Sequence, residues 1–273
     1  MSIDLADDRP PLRIATAGSV DDGKSTLIGR ILHDTKTIFE DQLNAVTKAS
    51  RRYGDGSLNL ALVTDGLRAE REQGITIDVA YRYVTTPRRE FIIADTPGHA
   101  QYTRNMVTGA SVSEVAIVLV DARHGAVEQT TRHVAIASLL GVGAIILAVN
   151  KMDLVGWDEE TFLTVAKEVR AIAESVPGEV PVIALPVSAL EGDNVVERSD
   201  KSPWYGGPSL LETLEEFEVR DREPAGARLA VQWTIVPPNG STALDRRFAG
   251  RLGEANCESE TRLKCSLRAR KLS

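Results

Sequence analysis

Apolar runs of strand length alternate with stretches of helical spacing from Leu12 to about Phe217. Leu12–Ala17 is a short apolar run that ends at Gly18, as a buried strand entering a loop would, and Lys24–Leu32 then follows with helical spacing. Thr76–Thr85 alternates, with Ile77, Val79, Tyr81 and Tyr83 on one face, which predicts a half-buried strand. A turn at Pro87–Arg89 returns the chain through Phe91–Ala94, so these two strands are expected to pair as a hairpin. Val115–Val120, Ala144–Val149 and Val180–Leu185 are continuously apolar and read as strands buried on both faces. Helical patterns lie at Glu128–Leu140, Glu160–Ser175 and Ser209–Phe217, the last with Leu210, Leu211, Leu214 and Phe217 in register. Repeated strand–helix units of this kind predict an α/β fold: a mostly parallel sheet with helices on both faces, its ligand at the carboxyl ends of the strands.

The segment Asp34–Gln73 is long, polar and weakly periodic, with Gly54, Gly56 and Gly66 in it and Gly74 just beyond. It suits a loop that orders around a ligand, or a surface insertion with a helix at Ile38–Ser50. Glu218–Gly226 reads as a linker, and Arg228–Val236 begins a new alternation of Leu229, Val231, Trp233 and Ile235. The expected division is a nucleotide-binding domain over 1–217, a linker over 218–227, the beginning of a β-barrel over 228–253 and a basic tail over 254–273.

Composition narrows the class. Of 273 residues, 42% are hydrophobic and 26% charged, as in ordinary globular proteins. The net charge of −7 argues against tight binding to a nucleic-acid backbone. No apolar run is long enough to span a bilayer, and the acidic N-terminus lacks a signal pattern, so a cytoplasmic protein without membrane attachment is expected. Cys257 and Cys265 are the only cysteines, which excludes a disulfide framework or a cysteine metal site.

Four motifs, each after a strand, describe a guanine-nucleotide pocket. Gly18, Ser19, Val20, Asp21, Asp22, Gly23, Lys24 and Ser25 fit the phosphate loop GxxxxGK[ST], and Thr26 continues into the helix. The glycines let backbone amides turn toward phosphate oxygens, Lys24 brings a charge to the outer phosphates, and the Ser25 hydroxyl is a candidate ligand of Mg²⁺. Asp95, Thr96, Pro97, Gly98 and His99 form the second motif. Asp95 is expected to reach the Mg²⁺ through water, the Gly98 amide to meet the terminal phosphate, and His99 to orient the attacking water as the catalytic residue. Thr76 is the candidate for a second hydroxyl on the metal. Asn150, Lys151, Met152 and Asp153 form the third motif and Ser188, Ala189 and Leu190 the fourth. The Asp153 carboxylate suits the ring N–H and exocyclic amine of guanine, where adenine would leave buried groups unpaired. The Lys151 stem can cover a ring face, Asn150 can brace the phosphate loop, and the Ala189 region can offer an amide to the guanine carbonyl.

Arg71–Thr76, Asp95–His99 and Arg104–Ala110 resemble the translation elongation-factor class of GTPases. Gly18–Arg30, Asp65–Asp78, Ser188–Val195 and Pro203–Pro208 are more specifically similar to the GTPase (large) subunit of bacterial sulfate adenylyltransferase. Ser19 stands where translation factors of this class usually have His. The resemblance runs from about Leu12 to Leu252. It implies that GTP hydrolysis drives the uphill adenylation of sulfate by ATP, carried out on a separate small subunit in sulfate assimilation and cysteine biosynthesis. It also implies that this chain carries no sulfate site of its own. An elongation factor bearing aminoacyl-tRNA, a regulatory nucleotide module with negligible turnover, and an uncoupled GTP-binding fragment are the rival readings. The family continues into two β-barrels, and some members carry an adenylylsulfate kinase beyond them.

This chain follows the family through Arg247–Gly253, and then the pattern stops. The last 13 residues hold five basic groups and no acidic one. Residues 254–273 read as a solvated basic tail, as an anionic-surface contact, or, the reading preferred here, as the product of a frameshift near Glu254. Read from the third base of the Asn256 codon, the shifted frame begins Leu-Arg unless a stop intervenes. Permitted codons then continue it as Val-Gly-Asp-Glu-Val-Glu-Val-Leu-Pro-Ser-Gly-Lys, a strand, turn and strand; the gene sequence tests this. A barrel cut there would expose Trp233 and Ile235 on unpaired edges, favouring aggregation or disorder.

Overall fold

A computed structural model describes residues 9–38, 47, 60, 79–98, 102–219, 228–235 and 247–253. Thr76, His99 and the tail 254–273 lie outside them, as does most of the segment 34–73.

The chain divides into two compact units at Val219/Arg220. The first is built on a six-stranded sheet. Its strands are β1 (Leu12–Gly18), β2 (Ala80–Thr85), β3 (Glu90–Asp95), β4 (Val115–Asp121), β5 (Ala144–Asn150) and β6 (Val182–Pro186), in the order β2-β3-β1-β4-β5-β6. All neighbours are parallel except the β2–β3 hairpin. The mostly parallel α/β sheet expected from the apolar runs is present.

Every residue of β4 and β5 is buried, and the residues sort by parity onto two cores. Val115, Ile117 and Leu119 pack with Leu27, Ile28 and Ile31 of helix α1 (Lys24–Asp34). Leu210, Leu211 and Leu214 of the final helix of this unit join the same core. Ala116, Val118 and Val120 face Met106 and Ala110 of α2 (Thr103–Ala110), Val134 and Ala137 of α3 (Glu128–Leu140), and Phe162, Val165 and Val169 of α4 (Glu159–Ser175). Helices on both faces explain why these strands are continuously apolar rather than alternating.

The helix ends follow their sequence signals. Asp158 caps α4 by accepting from Thr161 N at 2.7 Å. Ser209 and Glu212 form a reciprocal capping box at the start of α5 (Leu210–Glu216). Gly141 closes α3 in the left-handed conformation at φ 68°. His133 on α3 is fully buried, and desolvation, with the Lys24 charge second, pushes its imidazole down to about 4.

The half-buried strand expected over Thr76–Thr85 is described from Ala80 to Thr85, and the face carrying Tyr81 and Tyr83 is its more exposed one. Val84 is the buried residue of the strand, while Tyr81 and Tyr83 are exposed at the sheet's edge. The short helix α2 packs against β3 and the entry to β2: the atoms nearest a Cβ on its Gly109 belong to Thr96, Ala94 and Val79. The hairpin turn is tied by Thr86, whose N donates to Arg89 O at 3.0 Å and whose Oγ1 accepts from Arg89 N at 3.1 Å. Arg89 is buried and donates to the carbonyls of Leu214 and Phe217 at the end of α5.

The second unit, described by itself, is an antiparallel pair of β7 (Arg228–Ile235) and β8 (Arg247–Gly253) with a bulge between Val231 and Trp233. Val231, Trp233 and Ile235 are exposed.

Candidate nucleotide-binding site

The parallel strands deliver their carboxyl ends to one edge of the sheet, where β1 ends at Gly18, β3 at Asp95, β4 at Asp121 and β5 at Asn150. A cavity of about 460 Å³ opens there. Val20, Asp21, Gly23, Lys24, Ser25 and Thr26 line one side, Gly98 another, and Asn150, Lys151, Asp153, Ser188, Ala189 and Leu190 the third. Residues far apart in sequence thus converge as the four motifs require. Gly18, Ser19, Asp22, Asp95, Thr96, Pro97 and Met152 do not line it. The Met152 side chain is fully buried in the core beside α3 and α4, so only its backbone can serve the site.

The phosphate loop is held by its own side chains. Lys24 Nζ donates to Gly18 O at 2.9 Å and to Ser19 O at 3.0 Å. The Asp22 carboxylate turns inward and accepts from Ser19 N at 2.6 Å. Burial lowers the Lys24 pKa, with Asp95, Asp22 and Asp21 opposing, and burial raises that of Asp22 against the Ser19 amide and the Lys24 charge. Gly98 lies so close that a Cβ on it would collide with Lys24 Nζ and approach Gly18 O to 2.8 Å. Asp95 is buried and accepts from Thr16 Oγ1 at 3.4 Å.

Gly23 caps α1 at φ 94°, in the left-handed region, and a Cβ there would collide with Asn150 Nδ2. Gly23→Ala is therefore expected to cost about 1–3 kcal/mol in backbone strain alone. It is also expected to displace Asn150, lowering both the thermal midpoint and nucleotide affinity; unchanged values in a calorimetric titration would refute it.

Asn150 joins the two halves of the site. Its Nδ2 donates to Asp22 O at 2.7 Å, and its Oδ1 accepts from Ala189 N at 2.9 Å. Lys151, in the left-handed conformation at φ 62°, donates to Asp21 O at 2.5 Å and pairs with Asp121 at 3.0 Å. Asp153 sits in a 3₁₀ turn, Met152–Val155, half-buried at the cavity wall.

Three contributors carry no motif signal. Asp121 lies opposite Asn150 in the β4–β5 register. Burial alone would raise its pKa, but hydrogen bonds from Arg123 and Lys151 outweigh burial and hold its carboxyl well below the usual range. A carboxylate closing an otherwise apolar strand was the available clue. Arg30 on α1 donates to the carbonyls of Ala189 and Leu190, fixing the fourth motif from behind. Leu154, like Leu190, is more than half exposed at the cavity, an apolar surface suited to a planar ring.

The fold and the cavity define a P-loop nucleotide-binding protein. The model of the elongation factor Tu GTP binding domain matches residues 10–219, and the chain belongs to that family. The bifunctional enzymes CysN/CysC of two strains of Mycobacterium tuberculosis are 58% identical to it over 240 residues, covering 88% of this chain and 39% of theirs. The chain therefore spans well under half the length of these curated relatives. The S. cerevisiae Ski7 GTPase-like domain bound to GDP and inorganic phosphate superposes with a TM-score of 0.60 at 22% identity, over 76% of this chain and 49% of that one. Sup35 complexed with GDP does so with a TM-score of 0.58 at 24% identity, over 92% and 55%. At these identities the two structures speak for the fold alone.

Proposed function

We propose that this chain is the GTP-hydrolysing part of a sulfate adenylyltransferase, coupling GTP turnover to the ATP-dependent adenylation of sulfate by a separate small subunit in the cytoplasm. The observation that carries it is the 58% identity to the CysN/CysC enzymes over 88% of the chain, beside a GTP-binding-domain match over 10–219 that contains every residue lining the cavity. In this reading Lys24 and the amides of the phosphate loop hold the phosphates, Asp153 reads guanine, and the Ser188–Ala189 backbone lines the wall beside the base carbonyl. His99, beyond the described residues, follows directly on Gly98, which lies against Lys24; it is proposed to orient the water that attacks the terminal phosphate.

The donor set suits a hard divalent cation. Ser25 lines the cavity, and the buried Asp95 lies close enough to Lys24 for its charge to oppose the burial that lowers the lysine's pKa. Ser25, Asp95 through water, and Thr76 would hold Mg²⁺, which would neutralise charge on the phosphates. Among the described residues no group of three His, Cys, Asp or Glu could hold a metal unaided, so the nucleotide's phosphates and water would complete the shell.

The test is GTP hydrolysis by the chain alone, with a sulfate adenylyltransferase small subunit plus ATP and sulfate, and with ribosomes. Stimulation by the small subunit together with adenosine 5′-phosphosulfate formation is expected. Stimulation by ribosomes alone would replace this reading with a translation factor. Binding without stimulation by either would leave an uncoupled nucleotide module.

A further inference from the structure

The turn that carries Asp153 is tied at both ends. At its start Met152 N donates to Val187 O at 3.2 Å, in the strand exit that leads to Ser188. The turn then closes through Gly156 and Trp157, both left-handed at φ 64° and 57°, and Trp157 N returns to Met152 O at 2.9 Å. A tryptophan at positive φ is uncommon and strained, so the surroundings must hold it. What holds it is Trp204, whose Nε1 donates to Trp157 O at 2.8 Å.

Trp204 is fixed in turn. Its ring centroid lies 5.2 Å from Phe162 and 6.2 Å from Tyr205. Tyr205 is anchored by its hydroxyl on Pro208 O at 3.0 Å and by its N on Ser202 O at 2.9 Å. Ser202 is buried and accepts from Asn194 Nδ2 at 3.0 Å. The loop that leaves the cavity at Leu190 therefore comes back to press on the far side of the turn bearing Asp153. None of these aromatic residues lines the cavity.

We propose that Trp204 is a positioning residue for base selection: its indole N–H fixes the backbone of the Met152–Trp157 turn and so aims the Asp153 carboxylate at the base. This rests on the guanine reading of Asp153. Trp204→Phe keeps an aromatic ring against Phe162 and Tyr205 but removes the donor. The readout is the ratio of affinities for GDP and IDP, by titration of the full chain. Inosine lacks the exocyclic amine, so IDP makes one hydrogen bond fewer to Asp153 and is less sensitive to its aim.

Trp204→Phe is expected to narrow the GDP/IDP ratio by roughly five- to tenfold, chiefly through weaker GDP binding. Phe162→Leu, which loosens the packing but keeps the N–H bond, should lower the thermal midpoint and leave the ratio in place. An unchanged ratio in a folded Trp204→Phe protein, or equal weakening of both nucleotides, overturns the proposal. Should that variant not fold, 3-benzothienylalanine at position 204 decides: it keeps the bicyclic ring but has no N–H to donate to Trp157 O, and an unchanged ratio overturns the proposal equally. A wild-type protein that fails to prefer GDP over IDP would instead sink the guanine assignment itself.

Discussion

Asp153→Asn is expected to weaken GTP binding by about 100-fold or more, and to raise the affinity for xanthosine triphosphate by a comparable factor. In the proposed reading the carboxylate would accept from two donors on guanine, the ring N–H and the amine. An amide can accept only one of them and sets its own N–H₂ against the other, whereas xanthine presents a carbonyl there. The geometry favours a chemical effect without a structural one. The turn is fixed through the backbone of Met152 and Trp157, and Asp153 has no hydrogen bond within the described protein that the change would break. Competition between the two triphosphates for the chain measures it directly; retained preference for GTP would remove Asp153 from base recognition.

Lys24→Met is expected to be at least as severe. The stem volume is kept and the charge is lost, and with it the donor to Gly18 O and Ser19 O. The Asp95, Asp22 and Asp21 carboxylates that favour the charged lysine would lose its compensation, leaving negative charge there that repels anions. Phosphates brought to the same place would add to that repulsion. Affinity for both GDP and GTP should fall by about 100-fold or more, on the order expected when a charge-assisted phosphate contact is removed from a desolvated site. Titration with a fluorescent GDP analogue, with the thermal midpoint followed in parallel, separates a lost contact from a lost fold. Binding within threefold of wild type would mean that the loop amides alone carry the phosphates.

The sheet was legible because continuous apolar runs such as Val115–Val120 and Ala144–Val149 belong only to strands covered on both sides. The phosphate loop was legible because its glycines and lysine act on their own neighbours. The β2 strand shows where this stops. Alternation signals two faces but not which one will be covered, and Tyr81 and Tyr83 are exposed while Val84 on the other face is buried. The helix α2 spans the Arg104–Ala110 motif but carries no legible helical period, since eight residues are too few for it to stand out. Asp121, Arg30 and Trp204 were missed for a common reason. Each acts on a residue distant in sequence, through partners at positions 151, 189 and 157, and no local pattern encodes a tertiary partner.

Asn150 has a consequence for time rather than for affinity. One amide group grips the carbonyl of Asp22 with its nitrogen and the amide of Ala189 with its oxygen. The two ends of a bound nucleotide are therefore seated in parts that cannot loosen independently. A ligand that frees its base would pull, through the same amide, on the loop around its phosphates, so base and phosphate contacts are expected to release together.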